Sequence, residues 1–447
     1  MNVRPISITV VAVSVVGLLA LAPAAGAIND NVDLPAVVQT DPVDWTPQVP
    51  GTWGTGSASD QYQVMTLAPL GNLMYAGGLF PVVTNATKTS SYARNNIFSF
   101  NVSSGAVTGF APDFDGQVNA IVPSQDGQSL FVGGAFTHVN GVARGHFAKI
   151  NATTGALVPG FPNVKIAGKV TDIDIVGSNV VVGGKFSTVN GTTRTGLASL
   201  NPDTGALTNY MNITLGGQLN ATSPQGVWRF AVTADKSKMA VTGSFLTVNG
   251  QSRLQLFLLN LGATSATLAN WDAPILHVAA CSQKSQGNAQ VIGDLDFSAD
   301  GTKLYIGSGG GPHGTNTICD AAIKFPVNVT GTNVVPDWAN YTNGDTLRSV
   351  AWTTNAVYVA GHQRWLQQSP GVYASRPGIG AIAPANNQLL TWNPGHNREI
   401  GTQELIVTNG ATQPGQLTGL WVGSDSGGCG MNVGETRNHE GICFFPN

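Results

Sequence analysis

The stretch that decides the fold is "LFVGGAFTHVNGVARGHFAKINATTGAL", Leu130 to Leu157, because the chain repeats it. Val180 to Leu207 reads "VVVGGKFSTVNGTTRTGLASLNPDTGAL", and Met239 to Asn260 reads "MAVTGSFLTVNGQSRLQLFLLN". Looser copies follow the same grammar: "LMYAGGLFPVV" from Leu73, "LYIGSGGGPHG" from Leu304, "VYVAGHQRWLQQSP" from Val357 and "LWVGSDSGG" from Leu420. Gly78, Gly134, Gly184, Gly243, Gly307, Gly361 and Gly423 mark seven copies, spaced as four-stranded propeller blades require.

Each unit has a physical reading. An apolar strand such as "VNAIVP" (Val118 to Pro123) or "LRSVAW" (Leu347 to Trp352) precedes each glycine mark, often with a turn at Asp126-Gly127 or Asp300-Gly301. Its apolar residues run together instead of alternating, which suits a strand covered on both faces. The "VGGxF" phrase is a second strand, whose glycines permit a bulge or a close backbone approach. Asn140-Gly141, Asn190-Gly191 and Asn249-Gly250 supply the positive φ of a tight hairpin. A third strand ends at Thr-Gly, and a fourth runs to an aromatic or proline corner such as Trp271, Trp338 or Trp392.

The predicted fold is therefore an all-β, seven-bladed propeller of four-stranded antiparallel blades. The last copy stops one strand short, while "DPVDWTP" (Asp41 to Pro47) looks like the fourth-strand ends "ANWDAP" and "LTWNPG". Residues 41–49 are thus expected to complete the last blade and leave no exposed edge. Within one domain over 28–447, the blades occupy 62–447. A parallel β-helix is disfavoured, since its coils are shorter than these spacings.

These phrases, with the later blocks "GHQRWL", "RPGIGAI", "WNPG" and "LWVGSD", resemble the delta-60 type of β-propeller repeat found in secreted, notably actinobacterial, proteins. The resemblance implies a propeller and export. It carries no activity and no catalytic residue across.

Export also follows from the first residues: Arg4 precedes an apolar run from Ile6 to Leu21, and Ala25-Gly26-Ala27 is a small-x-small cleavage site, so 1–27 reads as a signal peptide. The expected location is secreted, extracellular or cell-wall associated. Only 10% of residues are charged and the net charge is −3, which leaves no basic face for nucleic acid. The four cysteines, Cys281, Cys319, Cys429 and Cys443, lack C-x-x-C spacing and in an exported chain read as disulfides. Three pairings are open; nearest-neighbour pairing is preferred because each bridge then clips one local excursion.

Two residue sets are candidates for chemistry. Aligning the inner strands puts Asp172, Arg229, Asp294 and Glu404 in one channel-facing column, with Ala120 and Ser349 at the same level. A small-ligand or cation site fits this column, as does the plainer reading, favoured here, of paired charges between blades. Copies five to seven lose the "GGxFxxVNG" phrase and gain His313, His362, Arg364, Trp365 and Asp425 on one rim. Two histidines and an aspartate suit a divalent cation or acid–base work, and Arg-Trp suits a sugar or an anion. Arg94, Arg144, Arg194 and Arg253 recur with the blades and read as structural donors to loop carbonyls. "DFDG" (Asp113 to Gly116) is a fragment of a calcium loop without its later ligands. No P-loop, nucleophile elbow or Ser-His-Asp set is present.

The leading expectation is a monomeric, non-catalytic propeller binding a glycan, a cell-wall component or an extracellular protein through one rim, with no cofactor. The alternative is an extracellular lyase, glycosidase or quinone-dependent dehydrogenase with its site at the channel mouth.

Overall fold

Among the described residues, seven antiparallel meanders follow one another along the chain. Their inner strands are Gln63–Leu70, Val118–Pro123, Ile166–Val176, Gly226–Val232, Val291–Phe297, Leu347–Trp352 and Thr402–Thr408. Each pairs with a second strand bearing the glycine phrase, namely Leu73–Leu79, Ser129–Gly134, Asn179–Val189, Lys238–Ser244, Lys303–Gly309, Val357–Gly361 and Gly419–Ser424. Third strands run from Ile97–Asn101 in the first blade to Ile442–Pro446 in the seventh. The computed structural model describes residues 32–51, 62–219, 223–277, 291–310, 317–396, 401–425, 428–434 and 439–447. The expected signal peptide lies outside them. Among the described residues no helix is long and apolar enough to cross a membrane.

Consecutive inner strands touch, and Gln63–Leu70 touches Thr402–Thr408, so the sheets close into a β-propeller. The core is divided accordingly into seven apolar clusters, one in each gap between neighbouring blades. The cluster between the last and first blades joins Ile406, Trp421 and Phe444 to Val64, Phe98 and Phe100.

Every inner strand carries a one-residue bulge at the same place: between Val64 and Thr66, Val118 and Ala120, Val170 and Asp172, Val227 and Arg229, Ile292 and Asp294, Leu347 and Ser349, and Thr402 and Glu404. The paired glycines serve this bulge and the next blade in turn. A β-carbon on Gly183 would stand 2.8 Å from Val227 Cγ1 and 2.9 Å from Phe230 Cε1, both on the following inner strand. One on Gly184 would overlap the carbonyl oxygen of Lys169, which the bulge pushes outward in the same blade. The first glycine therefore admits the neighbouring blade and the second admits the bulge. In the fifth and seventh blades Gly307 and Gly423 hold the first place, and Ser308 and Ser424 hold the second.

The segment before the first blade lies along the outer edge of the last one. Gln39 N–H donates to Pro446 O at 2.8 Å, Val43 N–H to Phe444 O at 3.0 Å and Val49 N–H to Glu440 O at 2.7 Å. Trp45 packs edge-on against Trp421, with centroids 6.1 Å apart. Its placement follows the repeat: Gly155 turns against Pro112 of the preceding blade, Gly205 against Pro162, and Gly105 against Trp45. The segment also reaches the first blade, where Gln48 and Thr84 exchange backbone hydrogen bonds of 2.9 and 2.8 Å.

Gly183→Ala should cost about 1–3 kcal/mol by overpacking the blade interface, whereas Gly109→Ala, with nothing within 4 Å, should stay within ~0.5 kcal/mol; chemical denaturation of the two variants decides. Deleting residues 41–49 removes the buried Val49 and Thr46 along with Trp45 and should lower the melting temperature by about 10 °C. A truncated protein melting with the full chain would contradict the closure.

Candidate functional site

The bulges set the level at which side chains enter the channel. The residue after each bulge is Thr66, Ala120, Asp172, Arg229, Asp294, Ser349 or Glu404, so the channel column assembles at one height. All of these but Ser349, with Asp174, line a cavity of about 30 Å³, room for a water or two and far too little for a sugar ring.

Most channel carboxylates tie one blade to the next. Asp172 Oδ2 accepts from Phe230 N–H at 2.8 Å, and Asp294 Oδ2 accepts from Val350 N–H at 3.0 Å and from Ser349 Oγ at 3.1 Å. One step further along the same strand, Asp296 Oδ2 accepts from Trp352 N–H at 2.7 Å. Arg229 stands among the acids, 3.7 Å from Glu404 Oε2, and donates to Thr171 O at 3.3 Å. Burial lifts Asp172 to about 7 against the pull of Arg229, and lifts Asp296 to about 8. Asp294 is likewise raised by burial, and Glu404 is raised well above its ordinary value. Burial alone would lower Arg229, but Glu404, Asp172 and Asp294 outweigh it and hold the guanidinium charged. One cation thus stands among an excess of acids that prefer to share protons. Asp296 was missed from the sequence, although its spacing from Asp294 in "DLD" puts both on one strand face.

The rim candidates divide. His313 lies outside the described residues. His362 and Asp425 hold matching places at the ends of neighbouring second strands, and Gly401 lies between them. Its N–H donates to Asp425 Oδ1 at 2.9 Å, and a β-carbon on it would stand 2.9 Å from His362 N. Asp425 is fully buried, with the Arg348 charge nearby. Arg364 is held by Asp345, a residue that sequence reasoning missed: Nε donates to Oδ2 at 2.9 Å and Nη2 to Oδ1 at 3.1 Å. Trp365 next to it is 37% exposed.

The sixth blade keeps the hairpin that its sequence obscures. Short hairpins follow the second strands of the first four blades, and the sixth has the longest, Trp365–Ser369 against Val372–Ser375, with Gly371 in place of Asn-Gly. At each base sits an arginine that folds back onto carbonyls. Arg94 donates to Ala93 O and Thr108 O at 2.7 Å each, and Arg376 of the sixth blade donates to Ser375 O at 2.8 Å and Leu390 O at 2.6 Å. Arg144, Arg194 and Arg253 donate in the same way to Ala143 O, Thr193 O and Ser252 O. In "DFDG", Asp115 spends its carboxylate on Thr137 and on His138 N–H, which anchors a hairpin.

Cys429 and Cys443 form a disulfide. Cys319 is also disulfide-bonded, and its expected partner Cys281 lies outside the described residues.

The class these features define is a β-propeller. A family model described as the Rax2 C-terminal beta propeller domain matches residues 97–257, the run that holds the three clearest repeats. Among solved structures, the chain is similar to the beta-propeller domain of Myceliophteria thermophila Cps50 (Swd1), at 7% identity and TM-score 0.46, covering 86% of this chain and 97% of that one. It is also similar to the extracellular domain of a one-component system from B. thetaiotaomicron, at 11% identity and TM-score 0.46, covering 89% of this chain and 40% of that one. No curated protein matches the sequence.

The channel acids predict an unusual pH response. Their folded pKa values lie above those of the unfolded chain, so their ionisation disfavours the folded state at pH 8 and their protonation relieves this as pH falls. The melting temperature should rise by about 2–4 °C between pH 8 and pH 5, and Glu404→Gln should flatten the rise. A melting temperature that falls across that window would contradict this account.

Proposed function

We propose that the chain is an exported, non-catalytic binding scaffold of the delta-60 type, which holds a glycan, a cell-wall component or an extracellular protein on the end of the ring that bears the hairpins. The observation that carries this reading is where apolar surface is left uncovered. Because every blade is a meander of the same sense, the connections between second and third strands all leave one end of the ring. Val142, Leu246, Trp365, Val372, Met431 and Val433 stand exposed in those connections, while the other large apolar side chains exposed among the described residues, Val329 and Val335, sit in an outer loop of the fifth blade. Apolar residues concentrated on one end of a soluble fold mark a contact surface.

Trp365 is the one aromatic side chain among those exposed residues. Arg364, its neighbour in sequence, is fixed by Asp345 in a bidentate pair, so the hairpin that carries the aromatic ring also carries oriented polar groups. The disulfide between Cys429 and Cys443 supports export. The tight, charge-paired channel supports a structural role there and leaves the rim for the ligand.

Trp365→Ala should abolish capture by a glycan array or by isolated cell-wall material, lowering apparent affinity by at least about tenfold. Trp365 is 37% exposed, so the substitution should also cost about 0.5–3 kcal/mol of stability, and capture is compared at a temperature where both proteins are folded. Capture equal to that of the unchanged protein would remove Trp365 from the contact surface.

A further inference from the structure

His396 is 1% exposed, and it is buried against the disulfide, with Cys429 at 1% and Cys443 at 0%. One ligand atom from each of the three lies within 4.8 Å of the others. The three arrive from separate parts of the chain. Cys443 sits on the third strand of the last blade, paired with Val422; Cys429 comes from the connection that precedes it; His396 comes from the end of the sixth blade.

Backbone hydrogen bonds also tie these positions together, in addition to the sulfur–sulfur bond. His396 N–H donates to Pro377 O at 2.9 Å, Gly430 N–H donates to Gly395 O at 3.0 Å, and His396 forms an antiparallel bridge with Cys429. The cysteine Cα atoms are 6.6 Å apart, near the wide end of what a disulfide spans. Four-coordinate zinc takes sulfur at about 2.3 Å and nitrogen at about 2.0 Å, which places neighbouring ligand atoms about 3.5 Å apart. Small side-chain rotations reach that spacing from the geometry present. Two thiolates and one imidazole are a soft to borderline donor set that selects Zn²⁺ or Cu⁺ over calcium or magnesium.

We propose that this trio is a redox-masked metal site: oxidised, it is a disulfide with a histidine packed against it, and reduced, it binds one Zn²⁺ through two cysteine thiolates and His396. Both steps balance. A dithiol reductant gives two electrons and two protons to the sulfur–sulfur bond, yielding two thiols and its own disulfide. Zinc then displaces the two thiol protons, and the neutral imidazole donates its lone pair. A fourth position is left for water, as in zinc sites with three protein ligands. The site would join the sixth blade to the seventh, so metal would replace the disulfide as the local clasp.

The test uses the full chain carrying Cys281→Ser and Cys319→Ser, so that these are the remaining cysteines. The protein is reduced with tris(2-carboxyethyl)phosphine under anaerobic conditions, equilibrated with Zn²⁺ and freed of excess ion, and bound zinc is measured by mass spectrometry. About one ion per chain is expected after reduction and none for the same protein left oxidised. Co²⁺ in place of Zn²⁺ should show thiolate charge-transfer absorption, and His396→Ala should weaken binding by at least about tenfold. The same set run with the native cysteines guards against a background that fails to fold. Zinc uptake equal in reduced and oxidised protein overturns the proposal, as does unchanged affinity in His396→Ala, or circular dichroism showing that reduction unfolds the blades.

Discussion

The structure depends on one repeated interlock, the bulge of each inner strand against the small residues of the second strand. A bulge leaves one residue unpaired and turns the strand. In five blades a carbonyl stands where a side chain at the second place would be, and Gly78, Gly134, Gly184, Gly243 and Gly361 yield to it. The first small residue yields to the following inner strand, so the apolar residue before the next bulge closes directly onto backbone. Val118 meets Gly77, Val170 meets Gly133 and Val227 meets Gly183. The fourth blade admits Thr242 at the first place and the sixth Ala360, but where a glycine meets the next strand this closely a larger residue would overpack the gap, and tightly packed interiors tolerate that poorly.

The same interlock explains why the channel is charged. After the bulge, one side chain per blade points to the axis at a common level, where a ring of apolar groups would leave the next inner strand's N–H groups without acceptors. Asp172, Asp294 and Asp296 supply acceptors across the blade gaps, and Arg229 offsets part of their charge. Raised carboxylate pKa values often mark catalytic acids. Here each aspartate already accepts a backbone N–H from the neighbouring blade, and the cavity between them holds about a water or two. The shift is a consequence of crowding acids where the sheets need acceptors.

The fold was legible because its signals are local and repeated. Asn-Gly turns, the glycine phrase and the Trp-Thr-Pro corner each report backbone geometry that few other residues provide, and Trp45 could be matched to the last blade by that grammar alone. The channel level was legible for the same reason, since aligning strands aligns side chains. The rim was less so. Arg364 and Trp365 are adjacent in sequence but differ in fate: Asp345, from the loop before the inner strand, captures the guanidinium, while Trp365 stays 37% exposed. His396 is a lone histidine in the sequence; its meaning comes from Cys429 and Cys443, which the packing of the sixth blade against the seventh brings beside it.

A propeller separates what must be uniform from what is free to vary. The gaps between blades admit little change, since each inner strand must fit its neighbour's backbone. The connections at the hairpin end answer to no such requirement, yet they are not loose. Arg94, Arg144, Arg194, Arg253 and Arg376 tie each hairpin base to its own blade, and the tips fold back, with Asn140 accepting from Asp113 N–H and Asn190 from Lys165 N–H. Ordering a loop on binding costs affinity, and a loop already fixed by its blade avoids that cost. The recurring arginines, structural in themselves, thus give the exposed tips between them the rigidity a recognition surface needs.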